Sequence, residues 1–195
     1  LFLPSGRDAA YFALLGFLGI AFHQWLQATG LKTASASTTS WIVATIPIFM
    51  ALLGWIFLRE RLGWLHILGI GLAALGVLLV ITKGDLSKLG FESSGMPGNL
   101  YILLSAPNWA VFSLLSRRPL QRFSAARMML YVMGFGWLFT SVMLFAGPGL
   151  SEISLLTFDG WMGILFLGIL CSGVAYIFWY DGLQSASMSQ VGSLI

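Results

Sequence analysis

Charged side chains are scarce in this sequence: Asp, Glu, Lys and Arg together make up 9% of its 195 residues. Soluble domains carry about 25% charged residues, which keep their surfaces hydrated. This chain is instead 58% hydrophobic and has a mean hydropathy of +0.89. Because so few charges cover a surface only where lipid replaces water, the composition excludes an ordinary soluble domain.

The residue patterns of common enzymes and metal sites are also missing. The single cysteine, Cys171, excludes an internal disulfide. The sequence has no His-Glu-x-x-His, no Gly-x-Ser-x-Gly and no metal-spaced cluster. Gly84-Asp85 and Tyr180-Asp181 faintly resemble intramembrane aspartyl proteases, but the two aspartates are predicted at opposite sides of the membrane and cannot share a water. We therefore predict no catalytic residue, no metal and no cofactor, and interpret the chain as a non-enzyme.

Long apolar runs are what the sequence does contain. Six of them are long enough to span a hydrocarbon core of about 30 Å, which takes about 20 helical residues. They cover 9–28, 36–58, 63–82, 99–116, 126–146 and 160–180, and a seventh begins near 185. Unpaired backbone groups are costly in lipid and the alternation of a barrel strand is absent, so each run is predicted to be a helix. Because the sequence opens without Met and stops inside an apolar stretch, we expect it to be part of a longer chain.

The distribution of basic residues predicts an orientation. All seven arginines fall on one side of the predicted helices and all three lysines on the other, the latter with Asp85, Glu92, Glu152 and Asp159. The arginines are Arg7, Arg59, Arg61, Arg117, Arg118, Arg122 and Arg127, and the lysines are Lys32, Lys83 and Lys88. By the positive-inside rule the arginine-bearing loops are predicted to be cytoplasmic. The net charge of +3 is thus topological, and no nucleic-acid partner is predicted.

An internal repeat indicates the architecture. The sequence FLGI at 17–20 recurs at 166–169, and GLKTASAS at 30–37 recurs as GLQSASMS at 182–189, with five of eight positions identical. The spacing of about 150 residues spans five predicted helices. Since five is odd, the second copy enters the membrane from the opposite face, which is the inverted-topology repeat of secondary transporters.

Further motifs make the sequence resemble the EamA-type branch of the drug/metabolite transporter superfamily. They are TASAS at 33–37, IPIF at 46–49, LRERL at 58–62, GIGLAALGV at 69–77, and YIFW at 176–179 followed by Gly182-Leu183. The resemblance implies an all-α polytopic membrane protein of ten helices, built as five plus five. It implies helices three to five of the first repeat in 1–82, an extracytoplasmic connector in 83–98, and helices six to nine (partial) of the second repeat in 99–195. Helices one, two and ten would lie outside this sequence.

Polar side chains on the first predicted helix suggest a binding surface. His23 and Gln27 share one face with Gly16, Gly19 and Gly30 at three- and four-residue spacing. Polar groups on a membrane helix face the protein interior or a cavity rather than lipid. His23 is a candidate substrate contact or proton carrier because its unperturbed pKa of about 6.5 is near working pH. The alternative, a neutral histidine bonded to another helix, stays open.

Three other helices carry candidate substrate-binding residues. The candidate residues are Ser37, Trp41 and Thr45 on the second predicted helix, Asn108 and Trp109 on the fourth, and Ser172 and Tyr176 on the sixth. Asn108 is the most polar uncharged group deep in its run and must find a partner or a ligand. Pro47 and Pro107 are candidate kinks for gating, although proline is also tolerated in membrane helices for packing alone.

Residues near the helix ends are interpreted as structural. Glu60 lies between Arg59 and Arg61, where charge pairing or topology anchoring is favoured over ion coupling. Gly69 and Gly76, with Ala73, are small residues that let another helix approach closely. Helix packing is therefore the role predicted for this glycine face.

These observations favour a secondary transporter that moves a small, partly apolar metabolite such as an amino acid by alternating access through a central cavity. Buried Arg or Lys would be needed for multiply charged substrates, and none is present inside a run. The alternatives are a channel or passive pore and a membrane enzyme. The predicted partners are a small-molecule substrate and the lipid bilayer of a bacterial inner (plasma) membrane. Proton or ion coupling and a homodimer stay open.

Overall fold

The computed structural model describes residues 5–60, 63–82, 84, 96–147 and 149–192. Within these ranges the regular structure is helical and no strand occurs, which confirms the all-α prediction for this part of the chain. Arg61, Lys83, Asp85, Lys88 and Glu92 lie outside the described residues.

Seven helices carry the labels used below. They are α1 (Gly6–Leu31), α2 (Ala36–Leu58), α3 (Trp64–Thr82), α4 (Met96–Leu120), α5 (Ala125–Ala146), α6 (Phe158–Ser185) and α7 (Met188–Gly192). A single turn, Gly149–Glu152, and a 3₁₀ turn, Ile153–Leu155, lie between α5 and α6.

The six predicted crossings are all helical, but they differ in apolar length. Among the described residues, α1, α2, α5 and α6 are long and apolar enough to cross a membrane, and α3 contains a shorter apolar helix, Ile67–Gly76. Helix α4 has 25 residues, but polar groups such as Ser105 and Asn108 dilute its apolar run. Four of the six predicted crossings therefore meet this standard within the described ranges.

Serine and threonine side chains start several of these helices. Ser5 and Asp8 form a reciprocal capping box at the start of α1, and Thr157 accepts the backbone N–H of Gly160 at the start of α6. Such oxygens satisfy N–H groups that have no partner in the first helical turn. The helix boundaries thus follow local sequence signals.

The described residues group into two compact units. Unit 1 lies within Leu1–Ala21 and Ser116–Ser185, and unit 2 within Phe22–Leu115 and Ala186–Ile195.

In unit 1 the start of α1 crosses α5 at two glycines. A Cβ added to Gly16 would lie 2.8 Å from the backbone N of Gly136, and one added to Gly136 would lie 2.5 Å from Cβ of Ile20. Beside this crossing, the buried Phe12 ring stacks on Tyr131 at 5.0 Å and meets Phe123 edge-on at 5.2 Å. Glycine therefore permits the close approach, as in other membrane helix pairs.

In unit 2 the end of α1 crosses the start of α4, again at two glycines. A Cβ on Gly30 would lie 2.6 Å from Cδ1 of Ile102, and one on Gly98 would meet the Gly30 carbonyl. The neighbouring core contains Ala34, Ile42 and Ile102. Both crossings use residues too small to hold the backbones apart.

The repeated sequence blocks adopt matching local structures. FLGI at 17–20 opens the π-helical segment Phe17–Phe22, and its second copy leads into the π-helical segment Leu167–Val174. In the other block Ser35 Oγ accepts the N–H of Thr38, as Ser187 Oγ accepts that of Gln190. The repeat is thus visible in backbone conformation, while its inverted orientation and the boundaries at 82 and 99 stay predictions.

Candidate functional site

The principal candidate site is the set of polar and aromatic side chains around His23 in unit 2. His23 is 6% exposed, and its Nε2 lies 3.2 Å from the amide Nε2 of Gln27, one turn along α1. The Trp109 ring of α4 lies 4.8 Å from the imidazole, and Phe112 lies 5.1 Å from Trp109. Three of the predicted residues, His23, Gln27 and Trp109, therefore form one group.

The hydrogen bond from Gln27 defines which ring atom of His23 is available. With the Gln27 amide donating to Nε2, the neutral imidazole carries its proton on Nδ1. Nδ1 is buried without a hydrogen-bond partner in the described part of the chain, although the ring also interacts with the backbone of Ser105. A buried donor without a partner costs roughly 1–3 kcal/mol. In this tautomer Nδ1 is the ring donor left for a further acceptor, either the Ser105 backbone or an atom of a bound molecule.

Asn108, the other predicted polar residue of α4, is half-buried and has an interaction partner of its own. It precedes Trp109 in the chain. Contact between Asn108 and a ligand stays a prediction.

The three predicted residues of α2 differ in exposure. Ser37 is exposed and Trp41 is 58% exposed, whereas Thr45 is buried and donates its hydroxyl to the Ile42 carbonyl at 2.6 Å. A role of these three residues in substrate binding stays a prediction.

The predicted kink at Pro47 lies at an interruption of α2. The helical segment Ala36–Val43 ends there, and Ile46–Leu58 begins with Pro47 in its first turn. Proline fits this position because a first-turn residue needs no N–H partner. By contrast, α4 is one continuous helix through Pro107. The two prolines therefore differ in local geometry.

In unit 1, Tyr176 connects α6 to the π-helical segment of α1. Its buried hydroxyl donates to the Gly19 carbonyl at 3.1 Å, and its ring lies 6.2 Å from Tyr180. Ser172 is half-buried inside the other π-helical segment. A π-helical turn rearranges the regular i to i−4 bonding and is frequent at functional sites. The sequence identified Tyr176 but not this bond.

Glu60 caps a helix that begins far along the chain. Its carboxylate accepts the backbone N–H of Met188 at 2.9 Å and of Ser189 at 3.4 Å. The preceding residue, Arg59, is exposed and takes a left-handed conformation with φ of 57°, which turns the chain at the end of α2. Glu60 thus makes a structural contact, with the first N–H groups of α7. Arg61 lies outside the described residues.

The glycine face of α3 has open space beside it in the described residues. A Cβ added to Gly69 or to Gly76 would find nothing within 4 Å in the described residues. Gly69 lines an apolar groove of about 340 Å³ with residues of α2 and α7, including Pro47 and Ser189. Close helix packing at Gly69 and Gly76 is therefore not formed within the described part of the chain.

Gln184 is a structural residue that sequence reasoning missed. Its amide donates to the backbone carbonyls of Leu120 at 2.7 Å and of Phe123 at 3.0 Å, at the end of α4. The available signal was its place in the repeat, where Gln184 replaces Lys32 within otherwise similar blocks.

No candidate metal site is found in the ranges that the structure describes. No group of three or more His, Cys, Asp or Glu there could hold an ion. Cys171 is exposed.

Comparison with known proteins identifies the family. Residues 2–82 and 96–195 match the EamA-like transporter family. The chain is 32% identical over 194 residues to the uncharacterized transporter YdfC of Bacillus subtilis, covering 96% of this chain and 60% of that protein. It is 26% identical over 193 residues to a probable terminal-alkyne amino-acid exporter of Streptantibioticus cattleyicolor, covering 97% of this chain and 61% of that protein.

A protein of known crystal structure shares the fold. It superposes with a TM-score of 0.65 at 20% identity, and the match covers 100% of this chain and 66% of that one. The chain spans about three fifths of the length of the curated relatives it matches. The family match confirms the resemblance drawn from the sequence motifs. Since it extends over most of the sequence, the chain belongs to the EamA-like transporter family.

Proposed function

We propose that the protein containing this chain is a secondary active transporter that exports small organic metabolites, such as amino acids, by alternating access. Family membership supports transport as the activity. The name of the Streptantibioticus relative supports amino acids as a substrate class. The two interruptions of regular α-helix in α1 and α6 fit the discontinuous helices from which such transporters build their binding sites.

The group around His23 carries this proposal. It combines a buried donor at Nδ1, a neighbouring amide and an aromatic ring 4.8 Å away, and among the described residues no charged side chain is found in contact with the imidazole. Such a surface suits a small substrate with one polar acceptor and an apolar part. It disfavours phosphorylated substrates, which need arginine or lysine partners.

Transport itself is tested by counterflow in proteoliposomes of the full-length protein. Vesicles are loaded with one unlabelled amino acid at a time, and uptake of the labelled compound is followed. A carrier gives uptake accelerated by trans substrate, because the loaded site reorients faster than the empty one. Ionic conductance or equal diffusion in both directions, without acceleration, would instead establish a pore.

The site is tested by exchanging His23 for leucine. We expect His23→Leu to weaken substrate binding at least tenfold, because one buried hydrogen bond of about 1.4 kcal/mol corresponds to that factor. Gln24→Leu is the matched control, since Gln24 is exposed on the same helix. Binding is read from the substrate-dependent rise in melting temperature. Unchanged binding in His23→Leu would remove His23 from the site.

Coupling and orientation need separate measurements. If His23 carries a proton, collapsing the pH gradient with an ionophore should stop uphill export in the wild type.

For orientation, single cysteines are introduced at Gln121 and Lys32 after Cys171→Ser. An impermeant maleimide added to whole cells should label the Lys32→Cys protein alone if the arginine-bearing loops are cytoplasmic. Labelling only at position 121 would invert the proposed topology.

A further inference from the structure

A basic cleft of about 280 Å³ lies in unit 1, where α1 begins and α4 ends. Its lining residues are Arg7, Asp8, Tyr11, Arg118, Pro119 and Arg122. Three guanidinium groups and one carboxylate therefore share a small volume. The proposed transport site does not use any of them.

The one carboxylate of the cleft is already committed. Asp8 Oδ2 accepts from the backbone N–H and hydroxyl of Ser5 at 3.2 and 2.8 Å, and Oδ1 accepts from Arg122 at 3.2 Å. The Arg122 guanidinium also lies 5.6 Å from the Phe123 ring centroid. Among the three guanidinium groups of the cleft, Asp8 thus pairs with that of Arg122 in the described residues.

Arg7 and Arg118 keep an unbalanced charge in this cleft. Neither makes an ion pair with a carboxylate among the described residues, and both are exposed. Guanidinium groups bind phosphate oxygens through two parallel hydrogen bonds. Tyr11 is half-buried in the same cleft. The chemistry is that of a phosphate-binding site.

The position of the cleft selects the source of the phosphate. It opens at the first turn of the candidate span Gly6–Leu31 and at the last turn of α4, where a crossing helix reaches the headgroup layer. The lining residues Tyr11 and Arg122 are followed in the chain by Phe12 and Phe123, which pack together as an apolar pair. Basic clefts between helices at this depth attract anionic lipids.

We propose that this cleft binds the headgroup phosphate of an anionic phospholipid. Arg7 and Arg118 hold the phosphate oxygens, while the Asp8–Arg122 pair fixes the wall of the cleft. The site is independent of substrate transport and of the group around His23.

The test measures lipid-dependent stabilisation of the full-length protein in neutral detergent. Phosphatidylglycerol, phosphatidylcholine and inorganic phosphate are titrated separately, and the melting temperature and the number of retained lipids by native mass spectrometry are recorded. We expect phosphatidylglycerol to bind, and the Arg7→Gln/Arg118→Gln double variant to bind it about tenfold or more weakly, since each basic group contributes about 1 kcal/mol. Arg127→Gln is the matched control because Arg127 is exposed and outside the cleft.

Three outcomes would overturn the proposal. Equal affinity in wild type and double variant would show that the cleft is not the site. An equal loss in Arg127→Gln would show a general effect of surface charge. Stabilisation by inorganic phosphate at the same concentration would assign the cleft to a free anion. A melting temperature of the double variant in phosphatidylcholine equal to that of the wild type establishes that the variant is folded.

Discussion

The Glu60 carboxylate accepts the backbone N–H of Met188 at 2.9 Å, although the two residues are 128 positions apart in sequence. The same carboxylate accepts from Ser189 at 3.4 Å, so it serves as the N-terminal cap of α7. Negative charge at a helix N-terminus also interacts favourably with the helix dipole. One side chain at the end of α2 thus fixes the start of a helix contributed by the second repeat block.

This cap predicts a loss of stability in Glu60→Ala. The variant removes both acceptors, and loss of a cap costs roughly 0.5–2 kcal/mol. Glu60→Gln keeps one neutral acceptor and should lie between the wild type and Glu60→Ala. The check is the midpoint of thermal unfolding followed by tryptophan fluorescence in detergent.

Asp181→Asn is the control for the charge itself, because Asp181 is exposed. It should unfold at the wild-type temperature. An equal decrease in Asp181→Asn and Glu60→Gln would mean that net charge, rather than the cap, sets the stability.

A second prediction concerns the hydroxyl of Tyr176. Tyr176→Phe keeps the buried ring but removes the donor to the Gly19 carbonyl at 3.1 Å. Leaving a buried carbonyl without this partner costs roughly 1–3 kcal/mol. We expect a lower unfolding temperature and faster hydrogen exchange at the backbone amides around the π-helical segment Phe17–Phe22.

The matched control is Tyr131→Phe. The Tyr131 ring packs on Phe12 in the same unit, and the hydrogen bonds found within the described ranges do not include its hydroxyl. Exchange that is accelerated equally by both variants would refute a specific role for the Tyr176 hydroxyl.

The all-α fold class could be predicted because lipid restricts how the backbone can be hydrogen-bonded. Backbone polar groups must pair within a helix, so length and hydropathy locate the helices. The prediction of a structural role for Glu60 rested on its flanking arginines, whereas its partner lies at Met188 and no local pattern indicates it. A side chain at a helix end thus shows its chemistry in sequence, but the group that it bonds depends on the tertiary fold.

The residues of the candidate site could also be predicted only in part from the sequence. His23, Gln27 and Trp109 could be selected because polar and aromatic groups inside a membrane helix need partners, and the structure brings them together. Ser37 and Trp41 satisfied the same periodicity, yet they are exposed. Ser37 and Trp41 lie in one helical segment, Ala36–Val43, so their spacing does place them on one face. Spacing alone does not say whether another helix or a cavity lies against that face, because that depends on the tertiary fold.

The glycine crossing of unit 1 predicts different effects for two neighbouring glycines of α5. Gly136→Ala places a methyl group 2.5 Å from Cβ of Ile20, so the helices must separate. Overpacking of this kind costs typically about 1–3 kcal/mol. Gly134→Ala, whose Cβ would meet nothing within 4 Å in the described residues, is the matched control and should be neutral or slightly stabilising.

Folded yield by fluorescence-detected size exclusion, together with the unfolding temperature, separates the two variants. A Gly136→Ala protein as stable as Gly134→Ala would show that α1 and α5 do not approach as closely as the structure places them.

The last prediction tests the Gln184 amide at the end of α4. Gln184→Leu removes both donors to the carbonyls of Leu120 and Phe123 and should cost about 2 kcal/mol, since a typical hydrogen bond contributes about 1 kcal/mol. Gln184→Glu should be worse, because its carboxylate faces two carbonyl oxygens at the negative end of a helix dipole. Gln121→Glu introduces the same charge at an exposed position of the α4–α5 turn and should leave the unfolding temperature unchanged. The decisive result is the order of the two Gln184 variants: if Gln184→Glu is the more stable, repulsion by the carbonyls is absent and the side chain does not cap α4.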